Sequence, residues 1–120
     1  TFALTALLAA LTAIGPLTPV APGTPVRFTS TQANPSEKFA CHGVLAQAMP
    51  ANTGKVYIGL STMNKSTLAN VVAVLAIPTD NTIPSFTAAL TLSPNAVNLS
   101  DLYLDADVAS NGAIVSVLIA

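Results

Sequence analysis

Residues 102–119, LYLDADVASNGAIVSVLI, decide the fold class. Leu102, Leu104, Ala106 and Val108 alternate with Tyr103, Asp105 and Asp107. A period of two residues places one set on each face of a half-buried strand. After Ala109-Ser110-Asn111-Gly112, residues Ala113 to Ile119 are rich in β-branched side chains, which suit a pleated surface. Asn-Gly favours a two-residue hairpin turn because both residues tolerate positive φ. The pattern therefore predicts an antiparallel hairpin closing the chain.

The same signals recur upstream. Ala51-Asn52-Thr53-Gly54 is a turn signal, and the strand after it carries Val56, Ile58 and Leu60 on one face and Lys55, Tyr57, Gly59 and Ser61 on the other. Asn64 to Thr67 reads as another turn, and the apolar run Val71 to Ile77, closed by Pro78, as a buried strand. Val26, Phe28 and Ser30, the stretch Phe39 to Ala48, and Phe86 to Leu92 supply further strands. About seven strand candidates separated by turns predict a mainly β, compact antiparallel sandwich or barrel, jelly-roll-like, over residues 24–120.

The N-terminal residues read differently. Leu4, Leu7, Leu8, Leu11 and Ile14 recur at helical spacing among alanines, with Gly15-Pro16 as a stop. The expected short helix carries no charge on its opposite face, at Thr5, Ala9 and Thr12, so it would be covered on both sides. Pro16, Pro19, Pro22 and Pro25, with Gly23, then predict an extended proline-rich arm. Residues 1–23 thus form a helix and arm, and 24–120 the β domain. The apolar stretch Phe2 to Ile14 is too short for a membrane span, and no basic residue precedes it as in a signal peptide.

Composition narrows the function. The chain has four basic and five acidic residues in 120, a formal charge of −1, and 52% hydrophobic residues. An ordinary soluble domain is roughly 25% charged. Arg27, Lys38, Lys55 and Lys65 are scattered, so no basic stripe forms for nucleic acid. So uncharged a surface suits being covered by copies of itself or by another protein.

Few groups offer chemistry. Cys41 and His42 are the only residues of their types, and neighbours on a strand point to opposite faces. They predict no catalytic dyad and no zinc set. Asp101, Asp105 and Asp107 share a face with Tyr103 on a regular strand, yet Ca²⁺ wants six or more oxygens. They read as a solvated face or as ion pairs to Arg27 or a lysine. Asn64-Lys65-Ser66 and Asn98-Leu99-Ser100 match the glycosylation acceptor pattern, which is common by chance. No catalytic residue, metal or cofactor is expected.

Asn52-Thr53-Gly54-Lys55-Val56-Tyr57-Ile58-Gly59, followed by Ser61-Thr62, resembles a segment of small tailed-bacteriophage virion proteins. Leu102 to Val108 and the Asn-Gly that follows resemble the end of the same proteins, and the likeness covers about residues 24–120. It implies a β-sandwich that oligomerises, often as a trimer, on the virion, and it carries over no active-site residue. The expected function is non-enzymatic: decorating and stabilising a phage capsid at joints between coat subunits. The expected partners are the major capsid protein and copies of this chain, with no nucleic acid and no membrane. The chain would be made in the bacterial cytoplasm and reside on the capsid exterior. Leu4, Leu7, Leu8, Leu11, Ile14, Pro16, Pro19 and Pro22 are the expected contact residues. A tail or head–tail component, and a receptor- or carbohydrate-binding sandwich, are the rival readings.

Overall fold

The computed structural model describes residues 11–19, 21–28, 40–41, 43–88, 97–98 and 101–118. Ten strands are described: β1 (Leu11–Leu17), β2 (Val26–Arg27), β3 (Ala40–Cys41), β4 (Gly43–Ala48), β5 (Val56–Asn64), β6 (Ala69–Leu75), β7 (Ser85–Ala88), β8 (Val97–Asn98), β9 (Tyr103–Ala106) and β10 (Ala113–Leu118). One sheet has the order β1-β10-β4-β7 and a second the order β2-β9-β5-β6, while β3 pairs with β8. Every strand pairing is antiparallel. Two four-stranded sheets, with the chain crossing between them at most connections and only β5 and β6 consecutive in one sheet, form the jelly-roll arrangement expected from the turn spacing.

Alternation builds the core. On β10, Ala113, Val115 and Val117 point inward and are buried, while Ile114 and Ser116 face out. Their direct partners on β4 are Ala48, Ala46 and Val44, all buried. The opposing sheet supplies Val56, Ile58, Leu104 and Ala106, with Ile58 opposite Leu104 and Val56 opposite Ala106. Phe28 fills the end of this layer, and its N–H donates to the Leu102 carbonyl at 2.9 Å, extending the β2–β9 ladder. Each fully buried aliphatic of this kind stabilises by about 1.5–3 kcal/mol relative to exposure.

Four sequence expectations need correction. First, residues 11–14 are strand, not helix: β1 lies along the outer edge of β10, with Leu11 opposite Leu118 and Leu17 opposite Ala113. Leu4, Leu7 and Leu8 lie outside the described residues. A helix of eleven or so residues is marginal alone, whereas β10 offers a row of backbone partners. Gly15-Pro16 is not a stop but part of this strand. The register shifts between Ala13 and Gly15, and Gly15 has a φ of 106°, which only glycine adopts easily. Pro16 is tolerated because β1 is an edge strand. The proline arm is correspondingly short, and Leu17 and Pro19 within it are buried.

Second, β9 and β10 are not a hairpin, because they belong to different sheets. Third, Val71 to Ile77 is not a buried strand. Most of it forms β6, the edge of its sheet, and Val72 and Val74 are 54% and 42% exposed. Fourth, Leu60 does not continue the inward face of β5; register shifts on either side of Gly59 turn it out to 44% exposure. Among the described residues, the hairpin between neighbouring main strands joins β5 to β6 through residues 65–68, at the expected polar turn.

These environments separate core from edge. Ile58→Ala should lower the unfolding free energy by about 2–5 kcal/mol, the cost of a buried cavity. Val72→Ala should change it by less than about 1 kcal/mol, as for exposed positions. Urea denaturation of the two variants checks this, and equal losses would place β6 in the core.

Candidate functional site

Two connections cross between the sheets at one end of the sandwich: 49–55 runs from β4 to β5, and 107–112 from β9 to β10. Two buried asparagines fasten them to each other. Asn52 Nδ2 donates to the Gly112 carbonyl at 2.8 Å, and the Gly112 N–H donates to Asn52 Oδ1 at 3.0 Å. In return, Asn111 Oδ1 accepts the N–H groups of Thr53 and Gly54, both at 2.8 Å. The Gly112 carbonyl also accepts the Met49 N–H at 3.0 Å. Asn52 and Asn111 are only 6% and 7% exposed, so these bonds satisfy groups that water does not reach.

This clasp explains the failed hairpin. A type I′ turn needs positive φ at both central residues. Within 107–112 only Ser110 has positive φ, at 71°. The Asn111 side chain is committed to the neighbouring connection. Gly112 is needed for space rather than φ, since an added Cβ would run into the Leu17 carbonyl oxygen of β1.

The outer face of β9 and β5 gathers both tyrosines and four of the charged residues. Arg27 Nε donates to the Tyr103 hydroxyl at 3.1 Å, and its guanidinium carbon lies 5.6 Å from the ring centroid. Asp105 is buried, correcting the solvated-face reading, because the turn at residues 21–24 reaches it. Asp105 Oδ1 accepts the Gly23 N–H at 2.9 Å and the Ala106 N–H at 2.8 Å. Tyr57, opposite Asp105 in the ladder, donates its hydroxyl to Asp107 Oδ2 at 3.2 Å. Lys65 Nζ donates to the Ala106 carbonyl at 2.8 Å and lies 3.7 Å from Asp107 Oδ1. Burial pushes the Tyr57 phenol above its ordinary value, helped by the charge and hydrogen bond of Asp107 and by the charge of Asp105.

Asp101 stands apart: it is exposed and precedes β9, so it does not share the face of Tyr103 on a regular strand. Cys41 lies in β3, while His42 is outside the described residues. Among the described residues no cluster of three or more His, Cys, Asp or Glu could hold a metal ion, and every buried side-chain N or O atom has a hydrogen-bond partner. Asn64 Oδ1 accepts the N–H groups of Ser66 and Thr67, at 2.8 and 3.1 Å, and so shapes the β5–β6 turn. No helix of the described residues is long and apolar enough to cross a membrane.

No family model matches this sequence, and no curated protein or solved structure matches it significantly. The residues themselves must therefore carry the functional reading. Sequence reasoning missed the exposed aliphatic edge. Leu60, Leu68, Val72, Val74 and Ile77 are all exposed along or beside the β5–β6 hairpin. Residues 68–79 contain no charge, which was the available signal. Leu68 also has positive φ, 63°, a conformation unfavourable for a leucine. Of the expected contact residues, Leu11, Ile14 and Pro16 are in β1, Pro16 and Pro22 are exposed, and Pro19 is buried.

Removing the clasp carbonyl by Asn111→Ala leaves two N–H donors unpaired and should cost about 2–4 kcal/mol in urea denaturation. Asn52→Ala should cost a similar amount. The double variant should lose less than the two single losses together, because the residues fasten one contact. Full additivity would mean that the two asparagines act independently.

The raised Tyr57 pKa makes stability pH-dependent at the alkaline end. Below pH 10.0 the phenol is protonated in both folded and unfolded chains, and its contribution is complete. As pH rises from there through the raised folded value, the unfolded chain holds fewer protons than the folded one, so stability falls. Urea midpoints measured between neutral and strongly alkaline pH should show wild type losing more stability than Tyr57→Phe. Parallel profiles would contradict the assignment.

Proposed function

We propose that this chain is a non-enzymatic virion structural protein that decorates a phage capsid and stabilises joints between coat subunits. Its partners in this reading are the major capsid protein and further copies of itself, assembled as a trimer. The observation that carries it is the uncharged, exposed aliphatic edge of the β5–β6 hairpin. Edge strands of free monomers are usually blunted by charge, especially lysine, because an open edge invites another chain. Here Val72 and Val74 stand on the edge strand, and Leu68 is held at the turn in an unfavourable backbone conformation. Strain and exposed leucine together are costly to keep unless something binds there.

The architecture is compatible with this role. Jelly rolls occur in viral capsid and lectin domains, though fold alone assigns no function. Repetition on a symmetric shell multiplies a small contact into strong attachment. A binding module for sugars is less well supported, because Tyr57 is buried against Asp107 and Tyr103 is held by Arg27. A tail component would use the same surfaces and differs in copy number per particle.

Light scattering with in-line chromatography tests the self-association. The wild-type chain should elute as a trimer, and Val72→Lys/Val74→Lys should shift it toward monomer without loss of folded β signal. A trimer indifferent to both lysines would remove the edge from the interface. Deleting residues 1–10 spares β1 and asks separately whether Leu4, Leu7 and Leu8 contribute. Capsids assembled without the chain should burst at lower temperature or milder osmotic shock; equal resistance would refute the stabilising role.

A further inference from the structure

Asn111-Gly112 is the only Asn-Gly pair in the chain. In a flexible peptide such a pair is the one most prone to spontaneous deamidation, because glycine puts no Cβ in the way of the attacking nitrogen. The Gly112 nitrogen, giving up its proton, bonds to Asn111 Cγ. The bond from Cγ to the side-chain nitrogen breaks, and ammonia leaves with that proton. Water then opens the cyclic imide at either carbonyl, giving aspartate or isoaspartate.

The clasp acts on both partners of this reaction. The Gly112 N–H is directed at Asn52 Oδ1, at 3.0 Å, so the nucleophile is engaged as a donor and pointed at a different group. Asn111 Oδ1 is pinned by the Thr53 and Gly54 N–H groups, at 2.8 Å each, which fixes the Asn111 side chain. Those two donors also polarise Cγ and would by themselves favour attack, in the manner of an oxyanion hole. The attacker decides the outcome. Attack requires the glycine nitrogen to lose its proton to base or water. Asn52 offers an amide oxygen, a very weak base, and Asn52, Asn111 and Gly112 are all buried.

We infer that Asn111-Gly112 is a latent deamidation site that the folded clasp holds unreactive and that unfolding exposes. The consequence is one-way. Isoaspartate inserts a methylene into the main chain immediately before β10. Ala113 opposite Ala48 and Leu17 opposite Ala113 could then no longer form with Gly112 in the clasp. A chain that folds promptly keeps its asparagine; a chain that lingers unfolded accumulates isoaspartate and loses the ability to close the sandwich. This inference is independent of the proposed role on a capsid.

The test uses the full wild-type chain at mildly alkaline pH, in buffer and in urea, with peptide mass spectrometry following amide-to-acid conversion. Asn81, in an exposed turn, serves as the internal reference. In urea, Asn111 should convert before every other asparagine. In buffer it should convert at least about tenfold more slowly than in urea, since reaction waits on opening of the clasp. Chains aged in urea should lose the ability to refold in proportion to their isoaspartate content, since aspartate at 111 keeps the oxygen that accepts the Thr53 and Gly54 N–H groups. Asn52→Ala, which frees the Gly112 N–H, should raise the rate in buffer toward that in urea. Conversion in buffer as fast as in urea would overturn the inference and show that the two donors on Asn111 promote attack. Full refolding of the isoaspartate chains would overturn the one-way consequence.

Discussion

The reciprocal bonding of Asn52 and Asn111 is the constraint on which the sandwich depends. A jelly roll sends its chain back and forth between two sheets, so most of its connections cross a gap instead of turning back within a ladder. Crossing segments leave backbone groups without ladder partners. At this end of the molecule two crossings lie side by side, and each donates its spare N–H groups to an asparagine of the other. The pairing closes the sheets over Val56, Ala106, Ala48 and Ala113, all fully buried. It also sets the starting register of β5 and β10, the central strands' entry points. Short polar side chains with one acceptor and one donor are the right tool, because buried amides must be satisfied in both directions.

How much of this was legible in the sequence follows from what each signal depends on. Alternation is local, and it correctly marked Val56 and Ile58 on β5 and Leu102, Leu104 and Ala106 in and beside β9 as inward, while it wrongly continued those faces to Leu60 and Val108. The sandwich class followed from that alternation and from turn spacing. Sheet membership is non-local. Asn-Gly looked like a hairpin turn because its backbone freedom is visible in sequence, while the competing partner, Thr53-Gly54, lies 57 residues away. The Leu11–Ile14 segment fitted a helical spacing, yet an unpaired edge of β10 outweighed that local preference. Val71 to Ile77 looked buried because it is apolar, but whether an apolar strand lies at the centre or the edge of a sheet is set by distant partners, and β6 is an edge. For the site, the tyrosines and aspartates of the outer face were visible as a row. The expected ion pair to a lysine is found at Asp107 and Lys65, but the enclosure of Asp105 by the 21–24 turn was not visible, since that contact comes from a distant segment.

Four of the chain's nine charged residues are spent on internal contacts. Arg27, Lys65, Asp105 and Asp107 serve the outer face of one sheet, where they hold the tyrosines and tie down two loops. Little charge is left to keep the β5–β6 edge solvated. Polar groups that lock the chain's own crossings, and an aliphatic edge left open, are the features that support the proposed packing against other chains. The proposed place on a capsid rests on that imbalance together with the resemblance of the Asn52 to Thr62 and Leu102 to Val108 segments to phage virion proteins.

The most direct test of the clasp as the central constraint is native-state hydrogen exchange of the Thr53, Gly54 and Gly112 amides. If the clasp opens only when the sandwich does, these turn amides exchange as slowly as those of Val115 and Val117 in β10, and all respond alike to added denaturant. Fast exchange of the three, with β10 still protected, would mean that the connections open locally and that the sheets hold together without them.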